Sequence, residues 1–456
     1  MQKAQLTDHQ VLDRCIASLT ESGLKPAPYT DCLKIPEDSA CTHAAWGSNR
    51  EHPFSVEVEN SIVDGSYFLG KCTVKDSILF HSDIRGDELK RKGEIVKHAG
   101  VANCIGEDEE IAVRDSYLFR TLVHSNSHDP ENLTRFPIEN SVCMHHSNVH
   151  GSPISNCLLK PFATIDLTVA RDSAVGTYSY VQAGKLNGYH VRDGHVWVKA
   201  TGKFDFQYTF DLEALKKYIF LEPGSAPRGL LIDFLAAREK EFEKLFLKGG
   251  SDINGVSSNT YVHPYAVIKG DFRIGENAFV AQRAFLENAF LGNGANAQEN
   301  CYIIDSILEG NDVSAHGSKI IETRVGRNVF VGFNSFVRGV PGKGVLIGSG
   351  SIIAPHTIID AVDQLEIPSN HFVWGLIQDK VDLAANSISL SNLASAKGEM
   401  VNGHMTFRGD GGAFASAFKH RIEHILEGNG ALYDSGRLRG HAQKCRGITF
   451  KTVGAR

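Results

Sequence analysis

A mainly β solenoid, built in two tracts with an α+β element inserted between them, is the fold class this sequence predicts. Three observations carry that expectation. Aliphatic residues recur every six positions; Gly is abundant (44 of 456 residues) while Trp (3) and Met (4) are scarce; and the period breaks off over residues 186–250. A period of six suits neither an amphipathic helix, at about 3.6 residues per turn, nor a half-buried strand, at about two. It suits a short strand followed by a tight turn. Three such units make one coil, and stacked coils bury a continuous aliphatic column.

The elements follow in chain order. Residues 1–54 form an N-terminal helical and loop segment, with a helix expected over Asp8–Leu19. Residues 55–185 form the first tract, where Val56, Ile62, Phe68 and Val74 stand six apart and Val175 leads to Val181. A phrase recurs there as Asp76-Ser-Ile-Leu-Phe, Asp115-Ser-Tyr-Leu-Phe and Asn140-Ser-Val-Cys-Met, and returns at Asp305-Ser-Ile-Leu. Loop excursions are expected near Gly86–Ile95 and Ser125–Pro137; an ordinary antiparallel β-domain is the competing reading of this half. Residues 186–250 hold the insertion. His195–Phe210 alternates apolar and polar around a Gly-Lys turn, which reads as a hairpin. Asp211 then caps a helix expected to run through Tyr218, and Leu230–Leu247 carries the apolar stripe of a longer one.

The second tract, within residues 251–380, has the stronger period. Val262, Ile268, Ile274, Val280 and Leu286 keep phase; a slip follows near Leu291; phase returns at Val325, Val331 and Val337, then at Ile347, Ile353 and Ile359. The small residue after each aliphatic one lets the backbone turn, and Asn or Gly takes the left-handed conformation a corner needs. Ile367–Ile377 resembles the exit strand that closes the last coil in hexapeptide-repeat solenoids. Residues 381–456 form a C-terminal appendage without the repeat, Phe414–Leu426 being a helix candidate.

Composition narrows the function. Hydrophobic residues at 42% and charged residues at 22% describe an ordinary globular chain, and Lys+Arg 47 against Asp+Glu 53 shows no basic surplus to attract nucleic acid. No stretch reaches the roughly 20 apolar residues of a membrane span, and Met1–Ser18 lacks the pattern of a secretion signal. Nine scattered cysteines, none in a Cys-x-x-Cys pair, fit reduced thiols and a cytoplasmic location.

Phrases such as Ile274-Gly-Glu-Asn-Ala-Phe, Val325-Gly-Arg-Asn-Val-Phe and Ile347-Gly-Ser-Gly-Ser-Ile resemble the hexapeptide repeat of the left-handed parallel β-helix transferase superfamily. That resemblance implies the left hand of the solenoid, assembly as a homotrimer, and active sites in clefts between subunits. It implies transfer of an acyl group from a coenzyme A thioester to a hydroxyl or amine of a small, sugar-like substrate, with a histidine as general base. Imidazole titrates near neutrality and suits the deprotonation of an attacking nucleophile. His316, beside Gly317 where the strict repeat is interrupted, is the candidate base; a corner histidine bonded to a carbonyl is the competing reading. Asn296, Gln298 and Asn300, with Glu299, lie about one coil earlier as a polar lining. Arg338 and Lys343, near glycine turns, are candidates for the phosphates of coenzyme A or ordinary solvated turn residues.

Two alternatives remain open. A cluster of His81, His98, His124, His128, His145, His146 and His150 lies in the first tract. Aligning the recurring phrase places His81 and His145 at equivalent coil positions, so a divalent metal on His81, His145, His146 or His150 is one alternative. The γ-class carbonic anhydrases of the superfamily bind metal through histidines, but their supporting Arg, Asp and Gln pattern is matched here only faintly, by Asp271 and Arg273. The other alternative is a non-catalytic scaffold whose insertion and tail recruit partners. The recurring Asp-Ser phrase also resembles the solenoids of sugar-nucleotidyltransferases. Residues 1–55, however, are too short for their catalytic domain and hold no Gly-rich phosphate loop.

Overall fold

The computed structural model describes residues 8–26, 29–33, 35, 43–53, 55–98, 101–251, 253 and 256–454. The chain divides into two units, one of Met1–Val198, Asp211–Ala236 and Ile448–Arg456, the other of Lys199–Phe210 and Ala237–Gly447. Each is a left-handed parallel β-helix with its own aliphatic column. Among the described residues no helix is long and apolar enough to cross a membrane.

In the first unit, parallel ladders join successive coils at a step of 16 residues: Ile154 pairs with Ala170, and Thr164 with Tyr180, which pairs with Val196. Inward residues Leu118, Val123, Cys143, Val149, Ile165 and Val181 are fully buried in one core. The recurring Asp-Ser phrase marks a corner. Asp76, Asp115, Asn140, Asn156 and Asp172 all take φ between 45° and 51°, a conformation Asn and Asp tolerate better than other side chains. The residue after each corner is tied to the preceding coil. The Ser77, Ser116 and Ser141 amides donate to the hydroxyls of Ser61, Ser77 and Ser116 at 3.1–3.2 Å. The phrase is therefore structural.

Two coils carry excursions, including the antiparallel pair Ile95–His98 and Val101–Cys104. The N-terminal helix, Asp8–Glu21, lays Val11, Cys15 and Leu19 over Ile78, Phe80, Tyr117 and Val142 on the outside of one face. Asp211 accepts from the Ala214 amide at 2.9 Å, but the helix it caps spans only Leu212–Leu215 before turning. The last strand, Thr449–Gly454, pairs antiparallel with His43–Ser48.

In the second unit the step is 17 residues through three successive coils: Phe285 pairs with Tyr302, then Lys319, then Phe336. This explains the slip at Leu291. The strand Phe285–Leu291 turns a corner at Asn288 (φ 49°) without an intervening turn, so one side of the triangle is a residue short. The loop around Gly339–Gly344 lengthens the following coil. The segment after the solenoid covers its end. Ser387–Ser389 pairs antiparallel with the coil strand His371–Val373, and helix Gly411–Gly428 sets Phe414 and Phe418 against Phe372, with Phe414 also on Phe206. Covering the exposed edge of the last coil blocks further strand addition there.

Ile303→Ala should lower stability by about 2–5 kcal/mol, the cost of a buried cavity, read as a lower chemical-denaturation midpoint. Val381→Ala, at a 76% exposed residue, should change it by less than about 0.5 kcal/mol.

Candidate active site

The coil register of the second unit stacks four side chains at one corner. Val280, Ala297, Ser314 and Val331 pair in sequence, so Gln282, Glu299, His316 and Phe333, each two residues on, occupy equivalent positions on successive coils. His316 Nδ1 lies 2.6 Å from Glu299 Oε2, with side chains 3% and 2% exposed. The imidazole and the carboxylate thus meet directly across adjacent coils. Phe333 closes the far side, its ring 5.2 Å from the imidazole. Gln282 is buried, and neither its amide oxygen nor its nitrogen has a hydrogen-bond partner among the described residues. Gly317 takes φ +72°, and a Cβ there would stand 2.3 Å from Asn334 Oδ1, so glycine is required directly after His316.

Two further ionisable groups lie along the same stretch. Asp312 accepts from the Gly310 and Val329 amides at 2.7 and 3.0 Å, yet burial pushes its carboxyl up to about 7. Burial also brings the Lys319 ammonium down to about 7, its Nζ donating to the Gly317 carbonyl.

The other expected site residues are placed as follows. Asn296 is buried, and its Nδ2 donates to the Gly294 carbonyl at 2.8 Å. Gln298 is buried, and its position alternates with the inward-facing Ala297. Asn300 takes φ 57° at a corner. Arg338 is paired with Asp360 at 2.6 Å and Lys343 with Asp363 at 2.7 Å, the latter pair exposed. The sequence reading placed Glu299 in the lining without joining it to His316. A 17-residue spacing between a carboxylate and an imidazole is the signal that would have joined them.

In the first unit His81 and His145 do hold equivalent positions, but two coils apart. Ile78 pairs with Tyr117 and Tyr117 with Val142, which sets Arg120 between the histidines. Two strand spacings of about 4.8 Å separate their backbones. His81 stacks on Phe80 (4.2 Å), His145 lies against Phe119 (4.4 Å) and His146 against Phe162 (5.1 Å). His150 instead neighbours His124, with ring centroids 5.1 Å apart. The His98 side chain lies outside the described residues.

A parallel β-helix of this hand, with buried polar side chains stacked at its corners, defines a class of protein, and comparison with known proteins agrees. The family described as "Hexapeptide repeat including loop" matches residues 102–223. A crystal structure of a candidate acetyltransferase from Desulfovibrio desulfuricans G20 is 44% identical, covers 98% of this chain and 94% of that one, and gives a TM-score of 0.90. The carnitine operon protein CaiE of Proteus sp. is 30% identical over 115 residues, 23% of this chain and 56% of that protein. Its Escherichia coli K12 counterpart is 30% identical over 23% of this chain and 57% of its own length. The match thus spans little more than half the length of these curated relatives. The chain belongs to the hexapeptide-repeat transferase superfamily.

Lys319 and Asp312 give opposite pH dependences. Between about pH 7 and 10.5 the unfolded chain binds a proton at Lys319 that the folded chain does not, so stability rises with pH there. Between about pH 3.8 and 7 the folded chain retains the Asp312 proton, so stability falls as pH rises. Denaturation midpoints of Lys319→Met should lose the rising limb relative to wild type, and those of Asp312→Asn the falling one.

Proposed function

We propose that this protein is an acyltransferase that moves an acyl group from a coenzyme A thioester to a hydroxyl or amine of a small, sugar-like substrate. His316 is its general base and Glu299 the residue that positions it. The observation that carries this reading is the buried 2.6 Å contact between Glu299 and His316, one coil apart. A carboxylate on Nδ1 favours the tautomer with its proton there, which puts the basic lone pair on Nε2. It also favours the imidazolium formed once a proton is taken.

In the reaction the acceptor oxygen or nitrogen attacks the thioester carbonyl and its proton passes to His316. The carbon–sulfur bond breaks, and the coenzyme A thiolate leaves and takes up a proton. The likeness to a candidate acetyltransferase over nearly the whole chain supports this class of reaction. Asn296, Gln298 and Asn300 would line the acceptor side. Arg338 and Lys343 would face the coenzyme A phosphates; the exposed Lys343–Asp363 pair is weakly held and easily exchanged for a phosphate. We infer a cytoplasmic, self-associating protein. No disulfide joins the described cysteines, and light scattering should return three times the chain mass for the homotrimer that the family resemblance implies.

Thiol release from acetyl-CoA, assayed against a panel of amino and hydroxy sugars, tests the reaction. His316→Ala should lower kcat by on the order of 10²-fold or more, and Glu299→Gln by a smaller factor, with unchanged circular dichroism. Full turnover by His316→Ala would sink the assignment.

A further inference from the structure

The first unit carries a second buried polar column. Strands Asp83–Arg85, Leu122–His124, Asn148–His150 and Thr164–Asp166 pair in parallel so that Arg85, His124, His150 and Asp166 stand in register on successive coils. The residue between Asn148 and His150, Val149, points into the aliphatic core, so these two share the outer side of their strand.

Each imidazole on this column is backed by a buried carboxylate. His150 Nδ1 is hydrogen bonded to Asp166 Oδ1 at 2.9 Å, and Asp166 Oδ2 accepts from the Tyr180 hydroxyl. His124 Nε2 lies 3.2 Å from Asp87 Oδ1. The carboxylates engage Nδ1 of one ring and Nε2 of the other, and ligand-capable ring nitrogens of the two residues come within 4.8 Å of one another. Arg85 is paired with Asp87, so Asp166 leaves the column with one more carboxylate than cation. Asn148 adds a buried Oδ1 without a hydrogen-bond partner among the described residues.

The geometry points to a divalent metal site on His124 and His150, with Asp87 and Asp166 as the outer carboxylates that fix ring orientation and raise ligand basicity. Imidazole nitrogens backed by carboxylates suit zinc and its neighbours in the first transition row better than magnesium or calcium, which favour oxygen. Two protein nitrogens leave the other positions to oxygen donors, Asn148 Oδ1 and water among them. The assignment is argued from residues of the first unit.

The test uses the full chain, purified without a metal-affinity step, stripped with a chelator and reloaded with Zn²⁺ or Co²⁺. Elemental analysis should return about one ion per chain, and Co²⁺ should show the visible absorption of nitrogen ligation. The double variant His124→Ala/His150→Ala should lose both signals. Asp166→Asn, which keeps both imidazoles, should weaken Zn²⁺ affinity by about 10–100-fold. His81→Ala should leave binding unchanged. Retention of no ion by the reloaded wild type, or equal binding by the double variant and wild type, would overturn the site. Should the double variant fail to fold by circular dichroism, Asp166→Asn decides: unchanged affinity rejects the assignment.

Discussion

Every coil in both units is hydrogen bonded to its neighbours through parallel ladders of fixed step, and the side-chain arrangements described above inherit their positions from that step. A ladder that moved by one residue would exchange inward and outward positions, emptying the aliphatic column and separating the polar pairs. Two devices hold it in place. The inward column of Val, Ile and Leu is buried almost completely, and Asn, Asp and Gly hold most of the left-handed positions. At the corners of the first unit, serine hydroxyls accept the amide of the next coil, so even the turns carry register.

The step also decides how legible the fold was. Three sides of six residues make a coil of 18, and the central coils of the second unit, stepping by 17, depart from that by a single short side; its period can be read directly. The first unit steps by 16 and includes two long excursions, so its hexads drift and its recurring Asp-Ser phrase was the clearer signal. The helices announced themselves through caps and apolar stripes. Asp211 gave the start of its helix but not the end, which falls at Leu215.

The candidate site was less legible for the same reason. His316 stood out as a residue type at an interrupted repeat, whereas its pairing with Glu299 depends on a coil of 17 residues, visible only once the register is known. His81 and His145 show the converse. Their alignment was real, but a coil carrying Arg120 lies between them. A common chemical device links His150 and His316. Each imidazole meets a buried carboxylate on an adjacent coil, Asp166 at 2.9 Å or Glu299 at 2.6 Å. A solenoid produces such pairs readily, because a residue one coil away is a fixed neighbour whatever lies between them in sequence.

The central claim is that the stacked corner holding Glu299 and His316 is where acyl transfer occurs. A crystal structure with an unreactive acetyl-CoA analogue, its thioester sulfur replaced by methylene, tests this most directly. The acyl carbonyl is expected within roughly 6 Å of His316 Nε2, room for one nucleophile between them at hydrogen-bonding and near-attack distances. An analogue bound with its carbonyl more than roughly 10 Å from that nitrogen, beyond the reach of a single bridging nucleophile, would contradict the account.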